Sequence, residues 1–167
     1  MTLAALGVAG GAAFWVLTAP STLDASVLTA DYKPNLANGA TLFDVGGCVS
    51  CHKSEGQDDR TILGGGHKLP SPFGAFHAPN ISQHPMAGIG GWSELEFINA
   101  MLRGVGREGE HLYPSLPYTS YQRMSVSDMR DLYAHMKTLP AVDTPSKEHE
   151  LGFPFNIRRS LGGWKLL

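Results

Sequence analysis

Apolar positions recur at helical spacing in four stretches of this 167-residue chain. From Met1 to Leu23 no residue is charged, and Leu3, Leu6, Val8, Phe14, Trp15, Val16 and Leu17 supply the apolar bulk. A run of about 20 such residues is long enough to cross a bilayer as a helix. Leu36, Gly39, Leu42 and Phe43 then fall near one helix face, with Asn35 as N-cap and Gly46 as the end. Leu95, Ile98, Met101 and Leu102 form a second amphipathic stretch. Ser93 and Glu96 open it as a capping box, and Gly104 closes it. Val126, Met129, Leu132, Tyr133 and Met136 form a third, capped by Ser125 and reaching about Thr138, before Pro140. No stretch alternates in the manner of a strand, so the pattern predicts a mainly α-helical domain.

Between the first two amphipathic helices lies a long segment, Lys53 to Gly91, that reads as irregular loop. Its Gly64, Gly65 and Gly66 precede no Lys-Ser/Thr and sit in no βα unit, so a phosphate loop is excluded. The chain divides into an anchor at 1–23, a linker at 24–34, a helical domain at 35–140 and a tail at 141–167. The tail mixes Phe153, Phe155 and Trp164 with Arg158, Arg159 and Lys165. That mixture suits docking to a membrane or partner subunit, and equally a strap across the domain.

The anchor has a rival in a cleaved leader peptide. No basic stretch precedes the apolar run, and cleavage after Ala19 would leave Pro20 at the new terminus, so an uncleaved transmembrane helix is expected. Gly7 and Gly11 would permit close packing against another transmembrane subunit.

The chemistry resides in Cys48, Val49, Ser50, Cys51 and His52. These are the chain's only two cysteines, three residues apart, with a histidine directly following. Both thiols fall on one side of a helical turn, in position to form thioethers with the two vinyl groups of one porphyrin, and the histidine meets the iron. A dithiol redox motif would need a βαβ setting. A zinc site would have to recruit His67, His77, His84 or His111 in place of a second cysteine pair, and a plain disulfide is the remaining alternative. One motif implies one covalent haem c. A large apolar cofactor also explains how a chain with 20 Gly and 11 Pro can form a core, since its loops can wrap the porphyrin. The net charge of −2 gives no reason to expect a nucleic-acid partner.

A second iron ligand is sought among the methionines. Met101, Met129 and Met136 lie on apolar helix faces and read as core filling. Met124 closes a Pro-rich loop and directly precedes the Ser125 cap, so its sulfur can be held at low entropic cost. Met124 is therefore the expected ligand, with Met86 next. Asn80, Trp92, Tyr118, Tyr121 and Arg123 are candidate contacts to the cofactor, as propionate donors or as ordinary packing. A backbone carbonyl at Pro72 or Pro79 would orient His52.

These segments together resemble the class I monohaem cytochromes c, and among them the membrane-anchored members that serve periplasmic dehydrogenases and respiratory chains. The resemblance rests on Asn38 to Phe43, Gly46 to His52, Pro79 to Ser82, Gly88 to Ser93, Tyr113 to Met124 and Leu132 to Ala134. It implies that the first and last helices cross, with Gly39 and Phe43 against Leu132 and Tyr133. In many dehydrogenase-linked relatives a methionine stands where this chain has Leu116, which leaves Met124 as the matching sulfur. The implied function is single-electron transfer to and from redox partner proteins, without a small-molecule substrate at this subunit. The implied location is the bacterial cytoplasmic membrane, with one span and the haem domain in the periplasm. An open-site haem protein of peroxidase or gas-sensing type, or an accessory assembly subunit, are the alternatives.

Overall fold

The computed structural model describes residues 2–166. Met1, at the start of the expected anchor, and Leu167, at the end of the tail, lie outside the described residues. The helices are α1 (Leu3–Leu17), α2 (Leu36–Val45), α3 (Cys48–His52), α4 (Glu94–Arg103), α5 (Tyr118–Tyr121), α6 (Val126–Met136) and α7 (Leu161–Trp164). Three short strands accompany them: β1 (Lys68–Ser71), β2 (Gly74–His77) and β3 (Glu150–Leu151).

The domain is organised by the crossing of α2 and α6. Asn35 caps α2, its side chain accepting from the N–H groups of Ala37 and Asn38. Ser125 and Asp128 form a capping box at the start of α6. At the crossing point Gly39 has no side chain to hold the helices apart. A Cβ there would collide with the Asp131 carbonyl oxygen and lie 2.7 Å from its carbon and 2.8 Å from the His135 Cβ. Phe43, one turn on, packs against the His135 ring with centroids 5.4 Å apart. Tyr133, also expected at this crossing, faces the Phe97 ring and donates to the Trp92 carbonyl at 2.7 Å. α4 begins at the Ser93–Glu96 capping box and stops at Gly104, whose φ of 58° is left-handed. Phe43, Phe97, Ile98, Met101, Met129, Leu132 and Met136 from these three helices form most of the core, with Leu63 and Ile89 from the loop.

Asp131 ties the linker to this crossing. Its carboxylate, only 4% exposed, accepts from the Tyr32 hydroxyl at 2.6 Å, the Asn35 N–H at 2.7 Å and the Asn38 amide at 2.9 Å. Burial acts to raise its pKa, but the bonds from Tyr32, Asn38 and Asn35 outweigh this and hold it below the ordinary 3.8. The same bond pushes the Tyr32 phenol up to about 12. Asp131→Ala removes the acceptor of three donors. Of these, the Asn35 N–H has no other partner among the described residues, while Tyr32 also reaches the Ser127 carbonyl and Asn38 the Asp128 carboxylate. The substitution is expected to cost about 1–3 kcal/mol, read as a lowered denaturation midpoint. The contribution of ionised Asp131 is present above its unfolded pKa. It is lost as pH falls through the depressed folded value, so an acid-denaturation profile should show the wild type losing this advantage over the variant only in strong acid.

Two expectations are corrected here. The first concerns the loop between Lys53 and Gly91, which is not wholly irregular. β1 and β2 form an antiparallel hairpin, Lys68 opposite His77 and Ser71 opposite Gly74, and β3 from the tail adds to it in the order β1-β2-β3. Gly74, at φ 125°, lies so close to the Glu150 carbonyl that no side chain would fit. Strands of four, four and two residues are too short for alternation to register, and Pro70 and Pro72 mask them further.

The second is the anchor. No helix among the described residues is long and apolar enough to cross a membrane. The 15 residues of α1 rise about 22 Å at 1.5 Å each, short of the roughly 30 Å of a hydrocarbon core. This overturns the expected transmembrane helix and the single-pass location in the bacterial membrane. The apolar run is interrupted by its own chemistry. Thr18 is buried, its hydroxyl and N–H both donate to the Phe14 carbonyl, and Pro20 follows. The His111 ring donates to the Thr18 carbonyl at 2.8 Å, and the Leu23 N–H donates to Asn99 at 2.7 Å. The residues after α1 therefore run along the domain.

The tail also runs over the domain. Tyr113 donates to the Phe155 carbonyl at 2.9 Å, and the Arg158 guanidinium lies 4.7 Å from the Tyr113 ring centroid. Arg159 covers the Trp15 ring of α1 and donates to the Trp15 carbonyl. Lys165 donates to the carbonyls of Arg103 and Gly104 at the end of α4.

Candidate functional site

Gly47 takes φ 69° and turns the chain from α2 into the single turn of α3. Cys48 and Cys51 lie three apart on that turn, both free and half-buried. Burial, reinforced by the charges of Cys51 and Asp44 against the pull of a backbone hydrogen bond, pushes the Cys48 thiol up to about 11, so it is neutral at pH 7.

The His52 ring is oriented by the loop that follows. Its Nδ1–H donates to the Pro79 carbonyl at 2.8 Å, which selects Pro79 over Pro72 and fixes the tautomer. Nε2 is left as the bare nitrogen, available to a metal. Burial holds the imidazole below its ordinary 6.5 although the Pro79 bond acts the other way, so the neutral ligand form is favoured. Gly65, the middle of the three glycines, finds its reason here. The Gly65 N–H donates to the His52 carbonyl at 2.9 Å. At φ 68°, a Cβ on Gly65 would lie 2.5 Å from the carbonyl oxygens of Ala78 and Pro79.

Beside α3 opens a cleft with about 530 Å³ of empty space, part of it open to solvent. Leu42, Val45, Gly46 and Cys48 form one wall, and Met101, Ser120, Tyr121, Met124 and Leu132 form the rest. The lining is chiefly apolar, as a porphyrin face requires. Cys48 and Met124 line this cleft, while Cys51 and His52, with its unengaged Nε2, lie on the adjoining turn α3; together these donors fit a tethered haem. Among the described residues no group of three or more His, Cys, Asp and Glu is arranged to hold a metal ion by itself.

Of the expected site residues, Cys48, Tyr121 and Met124 meet at this cleft. The Tyr121 hydroxyl donates to the Gly46 carbonyl at 2.6 Å, and burial and the nearby cysteines raise its pKa. Tyr118 is buried against Gly104 with its hydroxyl unpaired, and Lys165 lies 4.7 Å from its ring centroid. Trp92 packs partly buried on the core. Arg123 is exposed. Asn80 is buried, with Nδ2 donating to the carbonyls of Val142 and Thr144 at 2.7 and 2.9 Å. Both its donor hydrogens are therefore engaged in pinning the segment after α6, and none is left for a propionate. Met86 is 88% exposed, which sets it apart from the cleft. Met101 was read as core filling; it is buried and also lines the cleft. Helical spacing placed it on the inner face of α4, but only the packing of α4 beside α5 and α6 reveals which inner residues border the opening.

The cytochrome c family model matches residues 36–140, well over half of the chain. The chain belongs to the cytochrome c family. A cytochrome c domain implies covalently bound haem c and an electron-transfer role. This cytochrome is 43% identical to a diheme cytochrome c-type protein of Cereibacter sphaeroides over 99% of its own length and 56% of that relative's. It is 37% identical to the fructose dehydrogenase cytochrome subunit of Gluconobacter japonicus, over 81% of this chain and 28% of the relative. It is 36% identical to the cytochrome c subunit of the quinone alcohol dehydrogenase of Komagataeibacter europaeus, over 77% of this chain and 27% of the relative. The chain thus spans about half of one curated relative it matches and about a quarter of the others.

Proposed function

We propose that this cytochrome is a monohaem electron-transfer subunit serving a dehydrogenase. Cys48 and Cys51 would hold the haem by thioether bonds, with His52 Nε2 and the Met124 sulfur as the protein ligands to its iron. When bound, the group supplies a reversible one-electron couple. The chain's own residues would keep it in an apolar setting and hold the His52 tautomer through Pro79. The observation that carries this reading is the cleft, which has Cys48 in one wall and the Met124 thioether in another. An open-site haem protein would need that cleft free of methionine, whereas both Met101 and Met124 line it. The single cysteine pair supports one haem. The relative named as diheme is nearly twice as long as this chain. The names of the fructose and alcohol dehydrogenase subunits support a dehydrogenase as the source of electrons.

The full chain, produced together with a haem-attachment system, should carry one haem per polypeptide by intact mass and pyridine haemochrome. The pigment should stay with the protein in acidified acetone, and the Cys48→Ala, Cys51→Ala double variant should release it. Two haems per chain, or none held covalently, defeats the reading. Reduction by a sugar or alcohol dehydrogenase, followed in the visible spectrum, tests the partner class.

A further inference from the structure

The segment carrying Met124 is tied to the segment carrying Cys48 by one side-chain hydrogen bond. The Tyr121 hydroxyl donates to the Gly46 carbonyl at 2.6 Å, bridging 75 residues of chain. Gly46 stands two residues before Cys48, and Tyr121 three before Met124. Tyr121 also closes the turn that presents the methionine, because the Met124 N–H donates to the Tyr121 carbonyl at 2.8 Å. Beyond Met124 the chain is fixed at once, by the Ser125–Asp128 capping box of α6. On the near side, the Gln122 N–H donates to the Tyr118 carbonyl at 2.8 Å. Met124 is therefore held between a fixed helix start and a short turn, and the turn's cross-link to the opposite wall is Tyr121.

The geometry points to Tyr121 as a positioning residue for the Met124 sulfur: its bond to the Gly46 carbonyl clamps the two walls of the cleft and sets how often the thioether leaves the iron. This rests on the ligand assignment made above. Gly46 suits the acceptor role. A Cβ there would lie 2.7 Å from the Leu42 carbonyl oxygen and 3.7 Å from the Cys48 Sγ, so the backbone is close-packed beside the attachment cysteine. Tyr121 contributes to the cleft in two separable ways. Its ring is part of the apolar lining, and its hydroxyl is the clamp. Phenylalanine keeps the first and removes the second.

The experiment uses the haem-loaded full chain. The ferrous protein is mixed with carbon monoxide, which captures iron only while the sulfur is away. Tyr121→Phe should speed capture about three- to tenfold, the population change that one lost hydrogen bond brings. It should also weaken the ferric near-infrared sulfur-to-iron band toward alkaline pH earlier than in the wild type. Tyr113→Phe is the control. It removes a comparable phenol-to-carbonyl bond, to Phe155 in the tail, and should leave capture unchanged. Equal rates in Tyr121→Phe and wild type, or equal acceleration in both variants, overturns the clamp while leaving the ligand assignment standing. Survival of the near-infrared band in Met124→Ala overturns the ligand assignment itself. If Tyr121→Phe fails to retain haem, the unaltered protein answers by proton NMR. A slowly exchanging Tyr121 hydroxyl supports the clamp, and exchange at the rate of a free phenol overturns it.

Discussion

Met124→Ala should yield a folded, coloured protein that has lost its near-infrared sulfur-to-iron band and binds carbon monoxide readily when reduced. The reduction potential should fall by on the order of 0.1 V or more, a modest part of the roughly 0.8 V range over which axial ligands set haem potentials. Thioether sulfur favours the ferrous state, and its replacement by water or by a nitrogen ligand withdraws that preference. The competing sulfur is Met101, which lines the same cleft. Met101→Leu supplies the contrast. It conserves volume in the core, should cost less than about 1.5 kcal/mol, and should leave band and potential close to wild type. If the two variants exchange these outcomes, Met101 is the ligand and Met124 a wall residue. Spectroelectrochemical titration of both proteins decides the matter.

Gly39→Val should have the largest effect on stability. The Cβ alone would meet the Asp131 carbonyl and approach the His135 Cβ to 2.8 Å. Two of these atoms belong to the backbone of α6, which cannot rotate away as a side chain can. The helices must separate, and Phe43 and Leu132 lose packing with them. A cost of about 3 kcal/mol or more is expected, a large share of the roughly 5–15 kcal/mol that stabilises a typical domain. Thermal melting of the haem-loaded protein should shift down by about 10 °C or more, or the variant should fail to accumulate. Gly39→Ala should fall between wild type and valine. A melting temperature unchanged in both would mean that α2 and α6 do not meet at this residue.

Features encoded within a few residues of one another were legible in the sequence. The Ser93–Glu96 capping box, the Asn35 cap, the Gly104 stop and the inner face of α6 at Met129, Leu132 and Met136 all depend on neighbours within one or two turns. The haem-attachment motif is likewise five consecutive residues. What escaped depends on distant partners. The pairing of β2 with β3 joins Ala75 to Glu150, and no local pattern announces it. The sequence leaves Asn80 open between a propionate donor and ordinary packing, because the carbonyls of Val142 and Thr144 that its amide meets lie more than sixty residues on. The first apolar run misled for a related reason. Composition alone does not register that Thr18 turns its hydroxyl back on Phe14 and that His111 holds the chain there. Among the cleft residues, Met124 is legible because the Ser125 helix cap directly follows it and Pro114 and Pro117 stiffen the loop that leads to it. Met101 was passed over because its second face is defined by α5 and α6.

The meeting of α2 with α6 has a bearing on how the domain is made. Asp131 receives its bonds from Asn35 and Asn38 across 96 and 93 residues of sequence. A ribosome therefore delivers α2 long before the helix against which it will bury Gly39 and Phe43. Until α6 is present, Asp131 cannot receive those bonds, and the turn that carries the cysteines is left without the helix crossing that backs it. Closing loops of more than ninety residues is a slow kind of step, so the domain's last-made helix sets when its first helix can settle.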